Sequence, residues 1–87
     1  MYLILVYDIG EERVNKVLKI CRKYLTWVQN SVFEGEITRA NFIRLKHELS
    51  KIIDAENDSV IFYILRTTAY MSKETIGRVK GDVIEIL

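Results

Sequence analysis

Two apolar runs do most to limit what this chain can fold into. Residues 2–7 read YLILVY and residues 59–66 read SVIFYILR, and neither alternates apolar with polar positions. A strand with one face in water alternates, whereas a strand lacking alternation is covered on both faces. Cover is scarce in a chain of 87 residues, because domains of this size bury only about 60% of the surface their unfolded chains expose. The composition is nevertheless 49% hydrophobic. That surplus over a thin core points to association, and an oligomer is expected.

The stretch between the two runs changes period. Over residues 11–25, Val14, Val17, Leu18, Cys21 and Leu25 recur at spacings of three and four, one face of an amphipathic helix. Asp8, with Glu11 three residues later, fits the box that opens a helix. Residues 26–37 (TWVQNSVFEGEI) return to β-favouring types, with a bulge or short bend at Gln29-Asn30-Ser31 and a turn approached at Gly35. Thr38 then caps a second helix in which Phe42, Leu45, Leu49 and Ile52 repeat. Residues 54–58 form a polar connector to the second apolar strand.

Beyond it, residues 67–73 read as a connection, with a short strand within 72–79. Lys80-Gly81-Asp82 reads as a turn, and 83–87 as a last strand. The order predicts a single α+β domain over 1–87, a ferredoxin-like β-α-β-β-α-β sandwich with an extra C-terminal strand. Two helices cover one sheet face. The other is too apolar for water, so a homodimer with its sheets packed face to face is expected.

Several classes drop out on composition. One cysteine, Cys21, forms no intrachain disulfide, and no cysteine–histidine spacing suits zinc or an iron–sulfur cluster. Cys21 reads as a small core residue. The apolar N-terminus lacks a basic leader and a small-residue cleavage site, and Asp8 interrupts it. No run reaches the ~18 apolar residues of a membrane helix. A cytoplasmic protein with no membrane partner is expected. A net charge of +1 does not announce nucleic acid, so any basic footprint must be local.

Asp8 is the leading candidate for chemistry. A carboxylate that ends an apolar strand is expensive unless paired, capping or metal-bound. As a ligand for Mg²⁺ or Mn²⁺ it needs little help, because Mg²⁺ takes one or two carboxylates and fills its sphere with water and phosphate oxygens. As a helix cap it needs no metal at all. Arg13, Lys16, Lys19 and Lys23 follow at spacings of three, three and four, with Arg22 at the margin, a basic stripe suited to a phosphate backbone. The plainer alternative is a solvated face with Glu12 and Lys16 paired along the helix. Arg39, Arg44, Lys46 and Lys51 form a looser set on the second helix. His47 lies among polar residues, Ser31 has no histidine or aspartate partner at triad spacing, and Gly77 and Gly81 are isolated. An RNA-recognition motif shares the element order, but VFEGEI lacks its aromatic signature.

Taken together, the strand end Tyr7-Asp8-Ile9, the helix opening at Arg13-Val14 and the segment Val28-Gln29-Asn30-Ser31-Val32-Phe33-Glu34-Gly35 resemble the CRISPR-associated Cas-two family. The resemblance covers nearly the whole chain, with Tyr7, Asp8, Arg13, Ser31 and Phe33 at the positions its pattern keeps as catalytic candidates. It implies a ferredoxin-like homodimer whose last strand extends a sheet edge on the partner. It implies Asp8 from both chains as a ligand for Mg²⁺ or Mn²⁺, and metal-dependent cleavage of single-stranded RNA or duplex DNA. It also implies a role in spacer acquisition beside the Cas-one integrase. Trp27 departs from the pattern, standing where many members carry arginine, and Glu11 or Glu12 replaces another basic position. Two functions follow: a metal-dependent phosphodiesterase, with Arg13 and the lysines holding the backbone, or a non-catalytic DNA-binding scaffold in which Asp8 only caps a helix. A third is a small oligomeric domain that binds no nucleic acid.

Overall fold

A computed structural model describes residues 1–67 and 70–78. The turn expected at 80–82 and the strand expected at 83–87 lie outside the described residues. The elements run β1 (Tyr2–Asp8), α1 (Glu11–Arg22), β2 (Thr26–Gln29), β3 (Val32–Glu36), α2 (Arg39–Ile52), β4 (Ser59–Thr67) and β5 (Tyr70–Gly77). They build an antiparallel sheet in the order β2-β3-β1-β4-β5, a ferredoxin-like sheet with β5 added at the β4 edge.

The two apolar runs pair in the middle of the sheet, Leu3 opposite Ile64 and Leu5 opposite Phe62. Their parity decides which side each residue serves. Leu3, Leu5, Val60, Phe62 and Ile64 are buried under the helices, where they meet Val17, Cys21, Phe42, Leu45 and Leu49. Phe42 sets its ring edge-on to Phe62, with centroids 5.3 Å apart. Tyr2, Ile4, Val6, Ile61, Tyr63 and Leu65 occupy the other parity and are only half-buried. One sheet face is thus covered by helices, and the opposite face presents an apolar centre flanked by Glu34 and Glu36 of β3 and Lys73 of β5.

Three expectations need correction. Residues 26–37 are not one bent strand but a hairpin, β2 and β3, reversed at Asn30 with φ 42°. Asparagine tolerates this left-handed conformation better than most residues, so no glycine was needed to signal the turn. Gly35 lies inside β3, opposite Leu3. The strand after β4 begins at Tyr70 rather than near residue 72, because it pairs along almost the whole of β4, Ser59 to Gly77 at one end and Thr67 to Tyr70 at the other.

The helix boundaries have their own causes. Thr38 caps α2, its hydroxyl oxygen accepting the Asn41 N–H at 3.1 Å. At α1 the N-cap is Gly10, not Asp8, which remains in β1 opposite Ser59. Gly10 has no side chain with which to cap; instead its N–H donates to Asp58 Oδ1 at 2.9 Å. Glu11 and Glu12 in the first turn complement the helix dipole.

Candidate functional site

The strand ends nearest the α1 N-terminus gather most of the residues singled out by sequence. Asp8 closes β1 on the face that the helices leave open, and its side chain is exposed. Tyr7, of opposite parity, lies on the helix side. Its N–H donates to the Ser31 carbonyl at 3.0 Å, its hydroxyl donates to the Asn30 carbonyl at 3.3 Å, and its ring centroid is 6.2 Å from that of Phe33. Ser31 thus acts here through its carbonyl. Phe33 is fully buried, so it supports Tyr7 and offers no surface to a ligand.

Trp27 joins the same turn. Its indole Nε1–H donates to the Asn30 carbonyl at 3.0 Å, so one oxygen receives both Trp27 and Tyr7. Trp27 as a whole remains 54% exposed.

Arg13 turns inward. Its Nε donates to Asp58 Oδ2 at 2.5 Å and its Nη2 to Asp58 Oδ1 at 2.9 Å, a bidentate pair. Asp58 has no exposed surface and also accepts the N–H groups of Gly10 and Asp54, each at 2.9 Å. The Arg13 guanidinium, against the opposing effect of burial, holds the Asp58 carboxyl far below the usual carboxylate range. Asp58 in turn raises Arg13 further above its already high value. A neighbouring Asx turn completes the connector: Asp54 accepts from Asn57 Nδ2 at 2.8 Å and from the Glu56 N–H at 3.0 Å. These bonds, the Asn57 one foremost, hold Asp54 below its ordinary range.

By sequence Asp58 is one residue of a polar connector. Its one signal is an aspartate placed directly before a strand with no polar alternation, where burial demands a cationic partner.

The expected basic stripe divides. Lys16 and Lys19 are exposed on α1, as is Arg22. Lys23 donates to Glu48 Oε1, and the Tyr24 hydroxyl donates to Glu48 Oε2. Lys23 first and Tyr24 second hold the Glu48 carboxyl below its ordinary range, and Glu48 raises Lys23 in return. Glu12 lies nearest Arg13, at 3.7 Å, rather than paired with Lys16. Lys46 extends across to Glu74 of β5 at 2.9 Å. His47 is exposed on α2. Cys21 is buried under α1, and that burial pushes its thiol up to about 12.

No group of three or more histidine, cysteine, aspartate or glutamate side chains suited to a metal occurs among the described residues. Asp8 provides a hard oxygen donor at an exposed position on the open face, at the far end of β1 from Glu36, which lies opposite Tyr2 on the same face. One carboxylate meets the minimum protein contribution to Mg²⁺, and two chains apposed through that face would bring a second. No helix among the described residues is long and apolar enough to cross a membrane.

Comparison with known proteins places this architecture. A curated relative from Dictyoglomus turgidum, a CRISPR-associated endoribonuclease Cas2, is 55% identical over 87 residues, all of both chains. A crystal structure of a Cas2 protein superposes with a TM-score of 0.74 at 44% identity, covering 100% of this chain and 98% of the other. That of Streptococcus pyogenes Cas2 superposes with a TM-score of 0.69 at 42% identity, over 75% of this chain and 86% of the other. The family described as CRISPR associated protein Cas2 matches residues 1–73, and this chain belongs to it.

Proposed function

We propose that this protein works on nucleic acid as a homodimer in CRISPR spacer acquisition, beside the Cas-one integrase, and cleaves phosphodiester bonds with a divalent metal. The observation that carries the reading is the exposed Asp8 at the end of β1, on the sheet face that the helices leave open. Closing two such faces on each other buries the apolar residues and brings one carboxylate from each chain toward a common axis. Such a pair is enough to hold Mg²⁺ or Mn²⁺, which supplies charge stabilisation at phosphate and an activated water.

The chain's own residues do the rest. Tyr7 and Phe33 fix the strand end that carries Asp8, and the Asp58 carboxylate holds the turn after it through Gly10. Lys16 and Lys19 offer exposed cations to a phosphate backbone. The relatives' name, endoribonuclease, supports RNA as one substrate.

A second reading, a non-catalytic scaffold, draws on Arg13. Its guanidinium is engaged by Asp58, and Trp27 is not a cation, so neither residue brings a free positive charge to a developing phosphorane. Cleavage of labelled single-stranded RNA and duplex DNA, with Mg²⁺, Mn²⁺ or chelator, separates the readings. Metal-dependent cutting lost in Asp8→Asn supports the nuclease. Equal activity in both proteins defeats it by exposing a contaminant, and no activity in either leaves the scaffold.

A further inference from the structure

An exposed, immobilised indole stands out among the side chains that the proposed chemistry does not use. Trp27 opposes Phe33 in the β2–β3 register. Phe33 points into the core, so Trp27 leaves the sheet on the helix-covered side. It does so from the edge strand, all of whose residues are exposed. Its N–H is already satisfied by the Asn30 carbonyl, which the Tyr7 hydroxyl shares. Only the ring is left to offer a partner, and it is held in place beforehand.

The chemistry of the surroundings selects the occupant. A protein-docking surface is a contiguous apolar patch of several hundred Å². Trp27 and its neighbour Val28, set between exposed Thr26 and Gln29, fall short of that. A single ring does match one nucleobase, and sequence-tolerant single-strand binders combine such rings with nearby cations. Helix α1, which packs beside β2, carries exposed Lys16, Lys19 and Arg22. A second copy seated on the open sheet face would leave the indole accessible, because the two lie on opposite sides of the sheet.

We propose that Trp27 is a stacking platform for an unpaired nucleobase, with the exposed cations of α1 following the adjoining phosphates. The inference deepens the nucleic-acid reading and rests on it. A duplex keeps its bases stacked on each other and offers the ring nothing, so the platform favours single strands.

Trp27 is the chain's one tryptophan, which makes its emission a direct reporter. Wild-type protein is titrated in chelator with fluorescein-labelled oligouridylate, with an abasic oligomer of equal length and with blunt duplex, reading anisotropy and tryptophan emission together. The expected result is quenching by oligouridylate that saturates with the anisotropy curve, and none by the abasic oligomer. Trp27→Ala should weaken oligouridylate binding about tenfold and duplex binding little. Trp27→Phe, which keeps a ring, should retain most of the affinity and decides the matter if the alanine variant misfolds.

Binding without quenching overturns the platform and leaves the nucleic-acid reading standing. Quenching with unchanged affinity in both variants overturns it too. Failure of the wild type to bind any of the oligomers overturns the nucleic-acid reading and the platform with it.

Discussion

Arg13 and Asp58 form a bidentate ion pair that joins the first turn of α1 to the residue just before β4. The carboxylate also receives Gly10 and Asp54 backbone N–H groups, so none of its lone pairs is wasted on a cavity. A buried pair of this kind adds little net stability over an apolar replacement, yet removing one partner strands the other. Its effect on the fold is to fix the junction between β1 and α1 at the N-cap Gly10, two residues after Asp8.

Asp58→Ala should destabilise the protein by about 3 kcal/mol or more, measured by urea unfolding. Asp58→Asn should cost less, because it keeps the acceptor for one N–H while losing the charge. An alanine variant as stable as wild type would show that the pair does not hold this junction.

Acid should act through the same carboxylate. Its folded value lies below its unfolded one, so its contribution is present above the unfolded carboxylate range. That contribution is lost as pH falls below about 4 toward the lower folded value. Wild-type unfolding free energy should therefore decline over that window, and Asp58→Asn should show a shallower decline. Parallel curves would mean that other carboxylates carry the acid sensitivity.

Gly77 adopts φ 93°, and a Cβ there would sit 2.2 Å from the Asp58 carbonyl oxygen. The Arg78 N–H donates to that same oxygen at 2.7 Å, so the backbone is held close. Gly77→Ala should lower stability by roughly 1–3 kcal/mol and loosen β5 from β4, visible as faster amide exchange along that hairpin. Unchanged exchange would count against a required glycine.

The open sheet face should make the wild type a dimer at micromolar concentration by light scattering. Ile61→Lys places a charge in the centre of that face, opposite Val6 and away from the helix-covered core. It should yield a monomer with its circular dichroism intact. A wild-type monomer would remove the basis for pairing the two Asp8 carboxylates.

Lys16→Ala with Lys19→Ala tests the remaining stripe. Loss of two phosphate contacts should weaken every nucleic acid alike and flatten the log–log salt dependence for single strands by roughly 1.4. An unaltered slope would assign binding to another surface.

The parts of this architecture that were legible in the sequence are those set by local pattern. Unalternated runs announced the central strands, and spacings of three and four announced both helices, down to the Thr38 cap. The β2–β3 reversal was hidden because Asn30 takes a left-handed conformation without glycine. The cap of α1 was misplaced for a different reason. Asp8 and Glu11 have the right spacing, but Asp8 is still paired to Ser59, and the N–H of the N-cap Gly10 is received from 48 residues away by Asp58. Contacts over such a separation leave no periodic trace. The same pairing took Arg13 out of a stripe that helical spacing alone had drawn through it.

Cys21, the chain's one cysteine, is sealed between α1 and the sheet with its thiol displaced toward the neutral form. An electrophilic reagent can reach it only when the helix lifts, and then at the rate of an ordinary thiol. The fold therefore carries a built-in clock for its own opening: the pace of alkylation at one sulfur reads how often the two layers come apart.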